Sequence, residues 1–232
     1  IDLLPWFILS LLGSIWLISL LIPEVMTAKA NQAAMGIWQI VKQPEVMAFL
    51  CVYMLLQAAH GPYYVFFSIY LKHYDYSSRL IGLLWSLGAG AEIIVFIFMR
   101  QLLKFVSLRR ILLVSTLLSV LRWLLIARYA GDLRVLLGAQ VLHAATFGAA
   151  HVAAIHLVQS YFGLHHQGKG QALYSSLSFG LGGMLGGLYS GYAWDLYGGQ
   201  LVFGFAAILS VVAYMVAAIW VGKGKAVVHN SL

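Results

Sequence analysis

The chain has 232 residues, 62% of them hydrophobic and only 9% charged, with a formal net charge of +7. A soluble domain carries about 25% charged residues, so this composition describes a polytopic helical membrane protein instead. The basic excess does not point to nucleic acid: Lys and Arg gather in alternate loops, and there is no Cys/His zinc spacing and no Walker-type glycine loop. The single cysteine, Cys51, lies in an apolar run and excludes an intrachain disulfide. Starting at Ile1 and entering an apolar helix within a few residues, the sequence reads as a piece of a longer chain.

Seven spans of about 20 residues can be drawn. The first runs from Leu3 to Ile22 and ends at Pro23, and the longest polar connection follows it. The second runs from Val46 to Leu71 and contains QAAHGPYYVFF. In it Gln57, His60 and Tyr64 follow one another at three and four residues, so they share a helix face. Pro62 removes a helix hydrogen bond beside Gly61, which predicts a bend of the kind that shapes a cavity. A kinked helix with interfacial tyrosines is the plainer alternative.

The third span, Arg79 to Met99, carries Glu92 inside GAGAEIIVFIF, ~12 Å from the basic boundary at Arg100. A carboxylate at that depth is a candidate proton carrier, or else one half of a buried structural salt bridge. The fourth, Leu108 to Arg128, carries Arg122 about 9 Å from its outer boundary. That guanidinium can hold an anionic solute or pair with Glu92, and snorkelling outward is its non-functional alternative.

The fifth span, Leu133 to Tyr161, holds the most polar stretch at membrane depth, QVLHAATFGAAHVAAIH from Gln140 to His156. At about 100° per residue, Gln140, His143, Phe147 and His151 share one face, and His156 points away. Polar residues on a membrane helix are costly and usually functional. His143 and His151 lie ~12 Å apart along the axis, too far to ligate one ion together, so no metal and no cofactor is expected. The sixth span, Lys169 to Ala193, pairs Gly182 with Gly186, Gly183 with Gly187 and Gly187 with Gly191, spacings that let helices approach closely. Gln200 to Val221 is the seventh.

Loop charges orient these spans. Nine basic residues (Lys29, Lys42, Arg100, Lys104, Arg109, Arg110, Lys169, Lys223 and Lys225) fall on one side. The other side has only Lys72, Arg79, Arg128 and Arg134, so the first side is cytoplasmic and the C-terminus with it. For most of these cations a purely topogenic role suffices. One helix, a polar linker and six tightly connected helices suit the second half of a twelve-helix carrier. The organisation is then a helix over 1–22, a cytoplasmic linker over 23–45, a six-helix bundle over 46–222 and a cytoplasmic tail over 223–232.

QAAHGPYYVFFSIYL, IGLLWSLGAGAEIIVF, the LRW around Arg122, QVLHAATFGAAHVAAI and QALYSSLSFGLGG together resemble the C-terminal half of a major facilitator transporter of the 3-phenylpropionate type. The broader group includes lactose permease-like and nucleoside–proton symporters. The resemblance covers most of spans two to six. RQLLKFVSLRR departs from the Asp-containing loop motif common in the superfamily. The resemblance implies proton-coupled uptake of a small organic solute, an aromatic carboxylate such as 3-phenylpropionate, across a bacterial inner membrane. It assigns proton coupling to Glu92, Arg122, His143 and His151. Gln57, His60, Tyr64, Arg122 and Gln140 are the candidate solute contacts. The expected partners are the solute, the proton, the lipid bilayer and the N-terminal half of the same carrier. Symport of a neutral nucleoside or sugar is the alternative. From other classes come a histidine–metal membrane enzyme, which bound metal would reveal, and a seven-helix receptor.

Overall fold

The computed structural model describes residues 4–21 and 36–222, and every described element is helical. It divides into two units at Ala34 and Met35. The first contains α1 (Leu4–Leu20), a 17-residue apolar helix. Leu3 and Ile22, the ends of the span drawn from the sequence, lie outside the described residues. Most of the linker, with Lys29, and the tail, with Lys223 and Lys225, lie outside the described residues.

The second unit opens with the short α2 (Ile37–Val41), followed by α3 (Pro44–Lys72). α3 begins two residues before the expected Val46, because Pro44 supplies a preset helical φ and Glu45 suits the positive N-terminal end. It stays helical through Pro62. α4 (Ser78–Phe105) and α5 (Leu108–Tyr129) start at serine caps: Ser77 accepts from the Leu80 amide and Ser107 from that of Arg110. From Leu133 to Trp220 the chain is nominally one 88-residue helical stretch. Gly163 (φ 59°, ψ 177°) and Gly198 (φ 73°, ψ 169°) break it into α6 (133–162), α7 (164–197) and α8 (199–220). Only glycine adopts this backbone without strain, so each reversal uses a single residue. α7 begins at 164, not at Lys169, because the polar stretch HHQGK is itself helical.

The two larger of three apolar clusters among the described residues occupy the two ends of this bundle. One contains Phe49, Tyr53, Leu112, Leu157, Phe162, Tyr174 and Ala217. The other contains Phe67, Tyr70, Leu84, Trp123, Leu136 and Phe203. A buried polar belt lies between them: Gln57 and His60 on α3, Ser115 and Ser119 on α5, Gln140, His143 and Thr146 on α6, and Ser210 on α8. The hydroxyls of Ser119, Thr116 and Ser210 donate back to their own helix carbonyls, so they need no outside partner. The imidazoles and amides cannot do so as completely.

α3 and α7 cross at backbone contact. A Cβ at Gly182 would lie 2.5 Å from the Met54 carbonyl oxygen, and one at Gly186 would lie 2.6 Å from that of Ala58. This is the close approach expected of the Gly182/Gly186 pair. Gly183, Gly187 and Gly191 have open space at the Cβ position, so the other two spacings carry no such crossing. At the N-terminal end of α3, the Glu45 carboxylate accepts from Tyr161 and from the Gly222 amide, tying α3, α6 and the end of α8 together. Arg109 donates to the carbonyls of Ala217, Ala218 and Val221. It caps the C-terminus of α8 as well as contributing to the loop charge.

Candidate functional site

Gln140, His143, Phe147 and His151 do emerge on one side of α6. A regular helix would let every fourth residue drift by ~40°. Here a π-helical turn, Ala144–Ala149, inserts an extra residue and cancels much of that drift. The rings of His143 and Phe147 lie 5.3 Å apart at 20°, and those of Phe147 and His151 lie 6.3 Å apart at 9°. His156 is exposed on another side, as its position predicts.

α4 brings Glu92 to this face. Glycines on both helices permit the approach: a Cβ at Gly148 would meet Glu92 Cγ at 3.5 Å, and one at Gly88 would meet the His143 ring at 3.4 Å. The His143 Nε2 lies 2.7 Å from Glu92 Oε1. The partner of Glu92 among the described residues is therefore His143, and no ion pair joins it to Arg122, contrary to the expected pairing. The rotation of α4 decides this, directing the carboxylate at α6.

Arg122 is fully buried and engaged elsewhere. Its Nε donates to the Ala139 carbonyl at 2.9 Å, and one terminal nitrogen lies 3.4 Å from Gln140 Oε1. The guanidinium lies 4.4 Å from the ring centroids of both Tyr63 and Trp123, a cation–π position on each. Tyr63, unnoticed in the sequence, also donates to Gln140 Oε1 at 3.0 Å. A buried cation demands a nearby anion or strong dipoles, and these rings and carbonyls supply the dipoles while Glu92 balances the charge.

A small recess opens between α3, α6 and α7. Gln57, His60, Thr146, Phe147, His151 and Tyr174 are among its lining residues. Tyr64, Arg122 and Gln140 do not line it; Tyr64 is exposed beside it, its ring 6.0 Å from His60, and the other two lie behind the wall. The site therefore brings Gln57, His60 and His151 together at a surface and sets Arg122 and Gln140 in a supporting layer. His60 Nδ1 donates to the Leu56 carbonyl at 2.8 Å. His151 Nδ1 meets the Tyr174 hydroxyl at 3.0 Å. Tyr174 was missed in the sequence, and its only signal there was that a tyrosine inside a buried helix needs a partner for its hydroxyl. Four buried polar atoms in this belt have no hydrogen-bond partner among the described residues: His60 Nε2, Arg122 Nη1, Gln140 Nε2 and His143 Nδ1. Native interiors rarely leave such atoms unpaired, and when clustered they suit a bound solute or solvent.

Comparison with known proteins agrees with this architecture. The profile of the MFS_1-like family matches residues 1–205. A probable 3-phenylpropionic acid transporter of Escherichia coli (strain K12) is 34% identical over 165 residues, 71% of this chain and 43% of the relative. The chain thus spans less than half the length of that relative. The crystal structure of a mutant of the nucleoside transporter NupG superposes with a TM-score of 0.69 at 18% identity, over 87% of this chain and 56% of that one. That likeness concerns the fold alone. A multi-pass helical bundle with a polar, histidine-bearing waist and a profile match over most of its length belongs to the MFS_1-like family of major facilitator transporters, and it is not an enzyme.

Proposed function

We propose that the protein carries a small organic solute, an aromatic carboxylate of the 3-phenylpropionate kind, across a bacterial inner membrane by proton-coupled alternating access. In this reading the chain contributes the sixth helix and the C-terminal six-helix half, and its C-terminus is cytoplasmic. The observation that carries the reading is the Glu92–His143 contact of 2.7 Å in the waist of an otherwise apolar bundle. A carboxylate and an imidazole at that distance share a proton and can take up a second. With His143 neutral, Glu92 and Arg122 leave the waist without net charge; an added proton makes it cationic. Such a change moves the carrier between its two states only if they hold the proton with different affinity. The solute would sit at the midplane between the two halves, against the wall of Gln57, His60 and His151. The E. coli relative's name supports the solute class.

Burial of Arg122 behind that wall favours one second reading, symport of a neutral nucleoside or sugar, in which no guanidinium reads an anion. Uptake of labelled 3-phenylpropionate and of a labelled nucleoside into proteoliposomes, with and without an imposed pH gradient, separates the two. Accumulation of the acid only under an inwardly directed proton gradient is the expected result. Gradient-independent uptake would remove proton coupling, and accumulation of the nucleoside alone would establish the second reading.

A further inference from the structure

The mechanism above seats the solute against the wall of Gln57, His60 and His151 but does not fix which group of the solute meets which side chain. Two π-helical turns, Ala144–Ala149 of α6 and Ser176–Gly182 of α7, each supply a phenylalanine beside this wall. Phe147 comes from the first and Phe179 from the second, with centroids 6.3 Å apart at 67°. His151 lies parallel to Phe147 at 6.3 Å and edge-on to Phe179 at 5.9 Å. The hydrogen bond to Tyr174 fixes the His151 ring. The parallel rings of Phe147 and His151, with Phe179 standing steeply against both, make an aromatic platform with a raised side, and Phe179 is 40% exposed. The adjoining recess has room for about 20 Å³ of solvent. That accepts a group the size of one water and no ring. His60 borders the recess and is 1% exposed. Because its Nδ1 donates to Leu56, its Nε2 presents a lone pair, and that atom has no hydrogen-bond partner among the described residues.

We propose that Phe147, His151 and Phe179 hold the flat aromatic ring of the transported solute, while one O–H of that solute enters the recess and donates to His60 Nε2. The subsite rests on the reading of the protein as a carrier of aromatic acids. The O–H belongs either to a hydroxyl on the ring or to the undissociated carboxyl group, and both present the same donor.

The test is competition against labelled 3-phenylpropionate uptake in cells expressing the full-length carrier. The competitors are the ring-hydroxylated acid, its ring methyl ether and 3-cyclohexylpropionate. A hydroxyl source on the ring predicts that the hydroxylated acid competes about tenfold better than the ether, the worth of one hydrogen bond. A carboxyl source predicts equal competition by those two, with affinity rising as external pH falls through the solute's own carboxyl titration. In both cases 3-cyclohexylpropionate competes about three- to tenfold worse than 3-phenylpropionate, since it lacks the ring quadrupole. His60→Phe abolishes the hydroxyl or pH preference, and Phe179→Leu narrows the phenyl–cyclohexyl difference. Each is read as a ratio of competitors, so lower expression does not imitate it. Equal competition by phenyl and cyclohexyl acids in the unsubstituted carrier overturns the platform even if His60→Phe folds poorly. Unchanged ratios in an active His60→Phe overturn the donor site. Failure of any aromatic acid to accumulate removes the transport reading and this subsite with it, a different result from accumulation without discrimination.

Discussion

The crossing of α3 and α7 gives the sharpest quantitative prediction. An alanine at position 61 would place its Cβ 2.3 Å from the Gly186 carbonyl carbon, 2.5 Å from its Cα and 2.6 Å from its oxygen. Carbon atoms rest at about 3.5–4.0 Å, so the helices must part by roughly 1 Å. No rotamer change relieves a clash with backbone. Overpacking typically costs about 1–3 kcal/mol, and this one belongs at the upper end. Alanine's better helix propensity returns about 1 kcal/mol. The net loss is then ~2 kcal/mol, which lowers Tm by about 4–8 °C on the scale of soluble domains of this size. Gly187→Ala is the matched control: it gains the same propensity and meets nothing within 4 Å. Thermal unfolding of the purified protein in detergent, followed by the monodisperse fraction remaining, measures both. Gly61→Ala melting as high as Gly187→Ala would refute the crossing.

Glu92→Gln should abolish accumulation driven by a pH gradient while leaving part of solute exchange, because the amide keeps a hydrogen bond to His143 but carries no proton; counterflow and gradient-driven uptake measured side by side check this. Full gradient-driven accumulation in that variant would move the carrier role to His143. Arg122→Lys should lose the bond to Ala139 and the flat stacking between Tyr63 and Trp123, costing about 1.5–3 kcal/mol of stability, with Arg122→Ala worse still. If Arg122 serves only this internal role, 3-phenylpropionate and its amide will compete equally for uptake; strong preference for the acid would show that the anion is read. Arg109→Ala should destabilise the end of α8 by about 1–2 kcal/mol, seen as faster hydrogen exchange of the last-turn amides near Ala217 and Val221.

The long helices after Pro44 were legible because long apolar runs between basic loops have few other physical explanations. Their ends were less so: HHQGK looks like a loop by composition, yet Gly163 turns the chain in one residue and helix resumes at once. The shared face of His143, Phe147 and His151 followed from helical spacing alone. Its tight ring stacking did not, because a π turn leaves no mark in AATFGA that distinguishes it from an α-helix. The partner of Glu92 was unreadable for another reason. Spacing fixes faces within a helix, whereas His143 or Arg122 as partner depends on the mutual rotation of α4, α5 and α6. Gly88 and Gly148 permit the close approach of Glu92 and His143, and they look like any other membrane glycines.

The placement of Trp123 makes it an internal optical gauge. The indole is fully buried, has the Arg122 guanidinium 4.4 Å from its centroid and meets the His60 ring edge-on at 4.9 Å and 86°. Indole emission shifts with the electric field at the ring, and a cation held 4.4 Å from its centroid contributes to that field. A solute or proton that moves the guanidinium or charges His60 therefore changes the colour of one known chromophore. With the other tryptophans replaced by phenylalanine, occupancy of the waist becomes readable by fluorescence in the absence of any radiolabel or gradient.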